Sequence, residues 1–219
     1  MPTLLTHEEA LRFYDRFGAK QDAQQFYEGP IVDDLLAHFD LEHARAIVEF
    51  GCGTGRIAAD ILSGKLPPEA RYLAIDASRT MVGLTRQRLD RFGSRVTIVE
   101  TDGTPKIDAP DGSFDRFLST YVFDLLSPED IRAVLAEAHR VLAPGGLLGL
   151  AGLTRGTTLV SKIVTWAWEG VHSLRPALVG GCRPIAILDF LPAGRWTITH
   201  KAVITSYGLT SESLVARSL

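Results

Sequence analysis

Apolar residues recur at spacings of three and four through residues 7–17 and 26–39, so residues 6–40 read as helical. Gly29-Pro30 is expected to break or start a helix there. From residue 46 the pattern changes to short apolar runs alternating with amphipathic ones. Strands are predicted at 46–50, 72–75, 96–99, 114–119 and 147–153, and helices at 54–62, 78–92 and 128–142. Ser78 reads as a cap of the second of these helices. The third has the clearest start, with Ser127 as cap, Pro128 at the first position and Glu129 and Asp130 at the positive end of the dipole. Pro144-Gly145-Gly146 stops it. The run at 147–153 is apolar on both faces, as in a parallel sheet covered on both sides.

After residue 154 the pattern shifts again. Residues 159–171 are helical, with a shorter helix at 185–191. Strict alternation at 196–205 predicts a strand, joined through Ser206-Tyr207-Gly208 to a last strand at 214–217. The expected architecture is α/β: a doubly wound, three-layer αβα sheet, mostly parallel with an antiparallel terminal strand. A single domain is expected over residues 1–219. It divides into an N-terminal helical cover (1–44), a core (45–154), a helical insertion serving as a lid (155–194) and a terminal β-hairpin (195–219).

The chain's 219 residues are enough for a core without covalent staples. Lys and Arg number 23 against 26 Asp and Glu, a net charge of −3, and no basic run stands out. That balance argues against non-specific nucleic-acid binding. Cys52 and Cys182 form neither a disulfide framework nor a zinc spacing, so no metal and a reduced, cytoplasmic setting are expected. The first 16 residues lack the apolar stretch of a signal peptide, and the longest apolar run is broken by Pro144 and four glycines, so no membrane span is expected.

The chemistry concentrates at Val48-Glu49-Phe50-Gly51-Cys52-Gly53-Thr54-Gly55, where a strand enters a glycine turn and then a helix. Gly51 and Gly53 permit a tight turn and close approach of a ligand, and the helix N-terminus favours acceptor groups. This suits a Rossmann-like nucleotide site. The spacing is G-x-G-x-G rather than the G-x-G-x-x-G of dinucleotide binders. Glu49, two residues earlier, suits a cationic group better than a pyrophosphate; a plain turn with a chance acid is the alternative. Asp76 ends the second strand 21 residues after Gly55, near the ~20 expected for an acid that accepts ribose hydroxyls. It is otherwise a helix cap. Asp102, in Asp102-Gly103, could take an adenine amino group or simply make a turn.

These motifs, with Pro110-Asp111-Gly112-Ser113-Phe114-Asp115 and Arg140-Val141-Leu142-Ala143-Pro144-Gly145-Gly146, resemble in order and spacing the class I S-adenosylmethionine-dependent methyltransferases of the small-molecule, quinone-biosynthesis-like group. The resemblance covers about half the chain. It implies S-adenosylmethionine as cofactor, with Gly51, Cys52, Gly53, Thr54 and Gly55 cradling its methionine part and Glu49 near its amino group. It further implies Asp76 on the ribose, Asp102 and Gly103 at the adenine, Ala77 and Met81 along the adenosine, and Thr120 and Tyr121 near the sulfonium. Tyr14 resembles the N-terminal tyrosine with which some members close over the cofactor; the alternative is a core tyrosine.

Methyl transfer needs in-line positioning and exclusion of water rather than an acid–base pair, and orientation alone can account for ~7–11 kcal/mol. The helix at 159–171 carries apolar residues over ~200°, twice what a surface helix needs. One side is expected on the domain and the other on an apolar, small-molecule substrate; burial in the core or at a homo-oligomer interface is the alternative. His172 and Asp124 are candidate acid–base groups near the mouth, His139 is read as structural and Cys52 as a packing residue. Ser119-Thr120-Tyr121-Val122 lacks the Asn/Asp-Pro-Pro-aromatic motif that resembles adenine- and glutamine-directed N-methyltransferases, which lowers nucleic-acid bases as acceptors. A cofactor-binding protein without transferase activity, or one moving another group, is the competing reading.

Overall fold

The computed structural model describes residues 4–219. In chain order, α1 (His7–Phe17) and α2 (Gln25–Ala37) precede the strand–helix alternation. Then come β1 (Ala46–Phe50), α3 (Arg56–Leu62), β2 (Arg71–Asp76), α4 (Arg79–Leu89), β3 (Val96–Glu100), β4 (Phe114–Thr120), α5 (Pro128–Val141), β5 (Leu142–Leu153), α6 (Leu159–Leu174), β6 (Trp196–Ser206) and β7 (Leu209–Ser218). Among the described residues, no helix is long and apolar enough to cross a membrane.

The seven strands order as β3-β2-β1-β4-β5-β7-β6. The first five pair in parallel, while β7 runs antiparallel between β5 and β6. The order reverses at β1, whose neighbours are β2 and β4, so the cleft beyond the carboxyl ends of these strands is the position at which such sheets bind ligands. Side chains alternate between two buried layers: Ile47 packs with Ile31, Leu35, Ile61 and Leu89 on one face, and Val48 with Ile131, Leu135 and Ala138 on the other.

Most predicted elements stand, and both predicted caps form: Ser78 accepts from Met81 N and Ser127 from Asp130 N. Four expectations need correction. Pro30 does not break its helix but sits inside α2. An interior proline costs ~3 kcal/mol, whereas each fully buried aliphatic or aromatic side chain returns ~1.5–3 kcal/mol, and α2 buries Tyr27, Ile31, Val32, Leu35 and Leu36. The helix at 185–191 shortens to a 3-10 turn, Ile187–Phe190. The last strand begins at Leu209, earlier than its apolar core suggests. Finally, α6 turns its apolar stripe to solvent: Leu159, Ile163, Trp166 and Leu174 are exposed, while its buried residues are Ser161 and His172.

Candidate functional site

The glycine turn is fixed from both sides. Gly51 N and Cys52 N both donate to Ile75 O at 2.9 and 3.0 Å, locking the end of β1 to the end of β2. Gly51 and Gly53 have φ of +79° and +54°, a region that other residues enter only under strain. A Cβ at Gly51 would lie 2.3 Å from Val122 Cγ2, and one at Gly53 2.8 Å from Gln21 Oε1.

Beside this turn is a cavity of about 360 Å³, within the usual range of small-molecule sites. Gly51, Gly53, Asp76, Ala77, Met81 and Gly103 line one side, Thr120 and Tyr121 the middle, and Tyr14 with Leu4, Leu5 and Leu11 the roof. Cys52 and Thr54 line a small adjoining cleft that shares Gln21, Gly51, Gly53, Thr120 and Tyr121 with the cavity. Thus eleven of the fourteen residues expected at the site face one of the two spaces.

Glu49, Gly55 and Asp102 do not. Glu49 is fully buried, accepts from Tyr72 Oη at 2.9 Å, and is pushed up to about 8, chiefly by burial. Gly55 serves helix packing: a Cβ there would lie 2.9 Å from Thr85 of α4. Asp102 is exposed, and its Oδ1 accepts from Thr104 N and Oγ1 at 2.9 and 2.6 Å. These are the bonds of the turn-forming alternative.

Asp76 ends β2 on the wall of the cavity. Its Oδ2 takes Gly53 N and its Oδ1 takes Ser78 N, each at 2.8 Å, which fixes its orientation. Burial raises its pKa, against the pull of those backbone bonds. Tyr121 follows β4 at φ +55°, an uncommon conformation for a bulky residue and a mark of functional positions. Tyr121 N donates to Ala151 O at 2.7 Å and its hydroxyl to Ser211 Oγ at 2.9 Å, which hold it there.

The roof comes from α1 and the turn after it. Thr6 and Glu9 form a capping box that starts α1. Asp15 accepts from Ser78 Oγ at 2.5 Å and from Thr80 N at 3.2 Å, tying the roof to the start of α4. Asp22 accepts from Thr54 Oγ1 and Arg88 Nη2, both at 2.6 Å, tying it to the glycine turn. Tyr14 Oη donates to Gly180 O at 3.3 Å. His7 and Gln21 belong to the site and were not anticipated. The His7 ring lies so close to Gly103 that a Cβ there would come within 1.7 Å of it, and the buried Gln21 Oε1 has no partner. The amphipathic pattern of residues 7–17 was the available signal for the roof; an isolated glutamine carried none.

The expected lid and acid–base groups lie elsewhere. No α6 residue lines the cavity. Asp124 is buried outside it, with Oδ2 on Leu153 N at 3.3 Å and Oδ1 unpartnered, and burial pushes it up to about 7. His172 is buried on the inner face of α6, with Nε2 3.1 Å from Gly181 O. His139 packs edge-on against Trp196, a structural position.

Residues 47–146 match the family model described as a methyltransferase domain. The chain is 33% identical over 120 residues to a carboxy-S-adenosyl-L-methionine synthase of Chromohalobacter salexigens, covering 53% of this chain and 43% of that protein. It is 36% identical over 101 residues to the ubiquinone/menaquinone biosynthesis C-methyltransferase UbiE of Methylobacterium nodulans, covering 46% and 38%. The chain therefore spans less than half the length of these relatives. Among solved structures it is similar to the N-methyltransferase NodS of Bradyrhizobium japonicum in complex with S-adenosyl-L-homocysteine. That match has a TM-score of 0.70 at 18% identity and covers 95% of this chain and 98% of the other.

Proposed function

We infer that this chain, whose core is a class I S-adenosylmethionine-dependent methyltransferase domain, transfers the cofactor's methyl group to a small, apolar acceptor. The cofactor is S-adenosylmethionine. One observation carries the acceptor class: among the described residues lining the cavity, Asp76 and Asp130 are the acids, no Lys or Arg is present, and most of the rest are apolar. Such a wall tolerates a sulfonium cation and an uncharged acceptor. It offers no partner to a phosphate chain, which proteins neutralise with Lys and Arg.

The residues present fit the cofactor. Gly51 and Gly53 leave room that any side chain would fill, the unpartnered Gln21 Oε1 is an acceptor beside them, and Asp76 is an oriented acceptor at the end of β2. Gly51, Cys52, Gly53, Thr54 and Gln21 would hold the amino-acid end. Asp76 would hold the ribose, with Ala77, Met81, Thr101 and Gly103 along the base. When bound, the cofactor supplies an electrophilic methyl group. The protein's part is positioning: Thr120 and Tyr121 line the cavity at the end of β4, and Leu4, Leu5, Leu11 and Tyr14 exclude water from above. Glu49 stands behind the turn, bonded to Tyr72 and outside the cavity. No general base is required of the lining.

Calorimetric binding of S-adenosylmethionine to the wild type and Asp76→Ala tests the cofactor half. We expect at least a tenfold loss of affinity, ~1.4 kcal/mol. Unchanged binding would remove Asp76 from the site. Methyl release across phenol, quinone, lipid and tRNA panels tests the acceptor half, and turnover confined to tRNA would overturn it. The named activity of the carboxy-S-adenosyl-L-methionine synthase relative favours a second reading, chemistry on the cofactor without methyl transfer. Tight binding with no turnover on any panel would support that instead.

A further inference from the structure

The most anomalous surface is α6. Its inward side carries Ser161, Thr165, Trp168 and His172, held by bonds from Trp168 Nε1 to Cys182 O at 2.9 Å and between His172 and Gly181 O. Its outward side carries Leu159, Ile163, Trp166 and Leu174, which are 77%, 59%, 75% and 84% exposed. Helices bury the apolar side and solvate the polar one; on this one the larger apolar stripe is solvated, and only Trp168 and the half-buried Val164 turn apolar surface inward. With Val160, also mainly exposed, the stripe is a contiguous apolar patch of the kind that marks protein–protein contact sites.

We propose that α6 is a homodimer interface in which the helices of two copies pack antiparallel about a two-fold axis passing near residues 166 and 167. Two properties of the stripe select a second copy. The first is size. Bulky residues fill the N-terminal half (Leu159, Ile163, Trp166), the middle presents Ala167 and Gly170, where a Cβ on Gly170 would meet open space, and Leu174 closes the C-terminal end. Antiparallel pairing sets Trp166 over the partner's Ala167 and Ile163 over the partner's Gly170, with Leu159 against the partner's Leu174. The second is charge. Lys162 and Glu169 lie on the same edge of the stripe, two turns apart and both exposed. The two-fold operation brings Lys162 beside the partner's Glu169, and it does so twice. A lipid surface would favour basic residues along that edge, not one of each sign.

The interface also bears on the cavity. The loop bonded to the inner face of α6, Gly180 to Cys182, is the one that receives the Tyr14 hydroxyl, and Gly181 packs against Leu5 of the roof. A paired α6 therefore braces the roof from behind.

Sedimentation velocity of the full chain across a concentration series tests the proposal. The wild type should be a dimer at micromolar concentration. Trp166→Glu, on a position already exposed, should give monomers with unchanged far-ultraviolet circular dichroism. Lys162→Glu and Glu169→Lys should each raise the dimer dissociation constant about tenfold, since each replaces two attractions with two repulsions. The double variant, with the charges exchanged, should return to within about threefold of the wild type. A monomeric wild type at tens of micromolar, a dimer indifferent to Trp166→Glu, or charge reversals that fail to rescue one another would each overturn it.

Discussion

Two helices flank the parallel core, and both carry an apolar stripe. α1 begins on a capping box and lays Ala10, Leu11 and Tyr14 over the cavity, while Asp15 fastens it to Ser78 and Thr80. α6 begins on an equally well-formed box, Thr158 with Ser161, and lays its stripe on nothing. The caps and the periodicity are alike, so neither decides where a stripe goes. What differs is the opposite side. On α1 that side is solvated by Glu8, Glu9 and Arg12. On α6 it is made of groups that find buried hydrogen bonds, with Trp168 and His172 bonded to the 181–182 backbone. A polar face with built-in partners can compete with an apolar face for the inside of the protein.

The sharpest test of that contrast compares two tryptophans two residues apart. Trp168 is half-buried, packs against the core and donates to Cys182 O, whereas Trp166 is exposed. Trp168→Ala should destabilise the protomer by ~2 kcal/mol, below the ~3–5 kcal/mol of a fully buried site because the ring is only partly covered. Trp166→Ala should stay within ~0.5 kcal/mol, as surface changes do. Urea unfolding at sub-micromolar chain concentration separates folding from pairing. Equal losses at the two positions would mean that α6 is oriented the other way in solution.

Much of this arrangement was legible in the sequence, and the boundary of legibility has a physical form. Signals written in local backbone chemistry survived: Ser78 and Ser127 as caps, the positive-φ glycines of the turn, the β-branched strands and the antiparallel terminal pair. Signals that depend on which side of an element meets the core did not. Pro30 reads as a breaker until the burial of Tyr27, Ile31 and Leu35 is weighed against one lost hydrogen bond. The ~200° apolar arc of the last helix was visible, but the buried partners of Trp168 and His172 lie in a loop that no periodicity marks. At the site, Gly51, Gly53 and Asp76 line one cavity. Asp102 followed the ordinary chemistry of an Asp-Gly turn, and Glu49 is one strand residue too deep to reach the open space.

The smallest effect concerns how α1 and its following turn are fastened. Asp22 joins that segment to Thr54 and Arg88. Burial works to raise its pKa, but the bonds from Arg88 and Thr54 and the charges of Arg88 and Arg56 bring it below the usual 3.8. A carboxylate lowered on folding contributes stability above its unfolded value. That contribution is lost as the pH falls through the folded value. Asp22 and Arg88 are each about a third exposed, so solvent screening limits the tie to ~1 kcal/mol at neutral pH. Asp22→Ala should therefore cost about that much at pH 7 in urea unfolding. The difference from the wild type should shrink as the pH falls below 3.8 and vanish only below the lowered folded value, where the wild-type carboxylate is neutral too. S-adenosylmethionine affinity should fall only a few-fold, because the roof remains anchored by Asp15. A difference that persists undiminished at pH 3 would show that packing, not this ion pair, holds the segment. α1 would then be fastened by burial alone, as the inner side of α6 is by its backbone bonds.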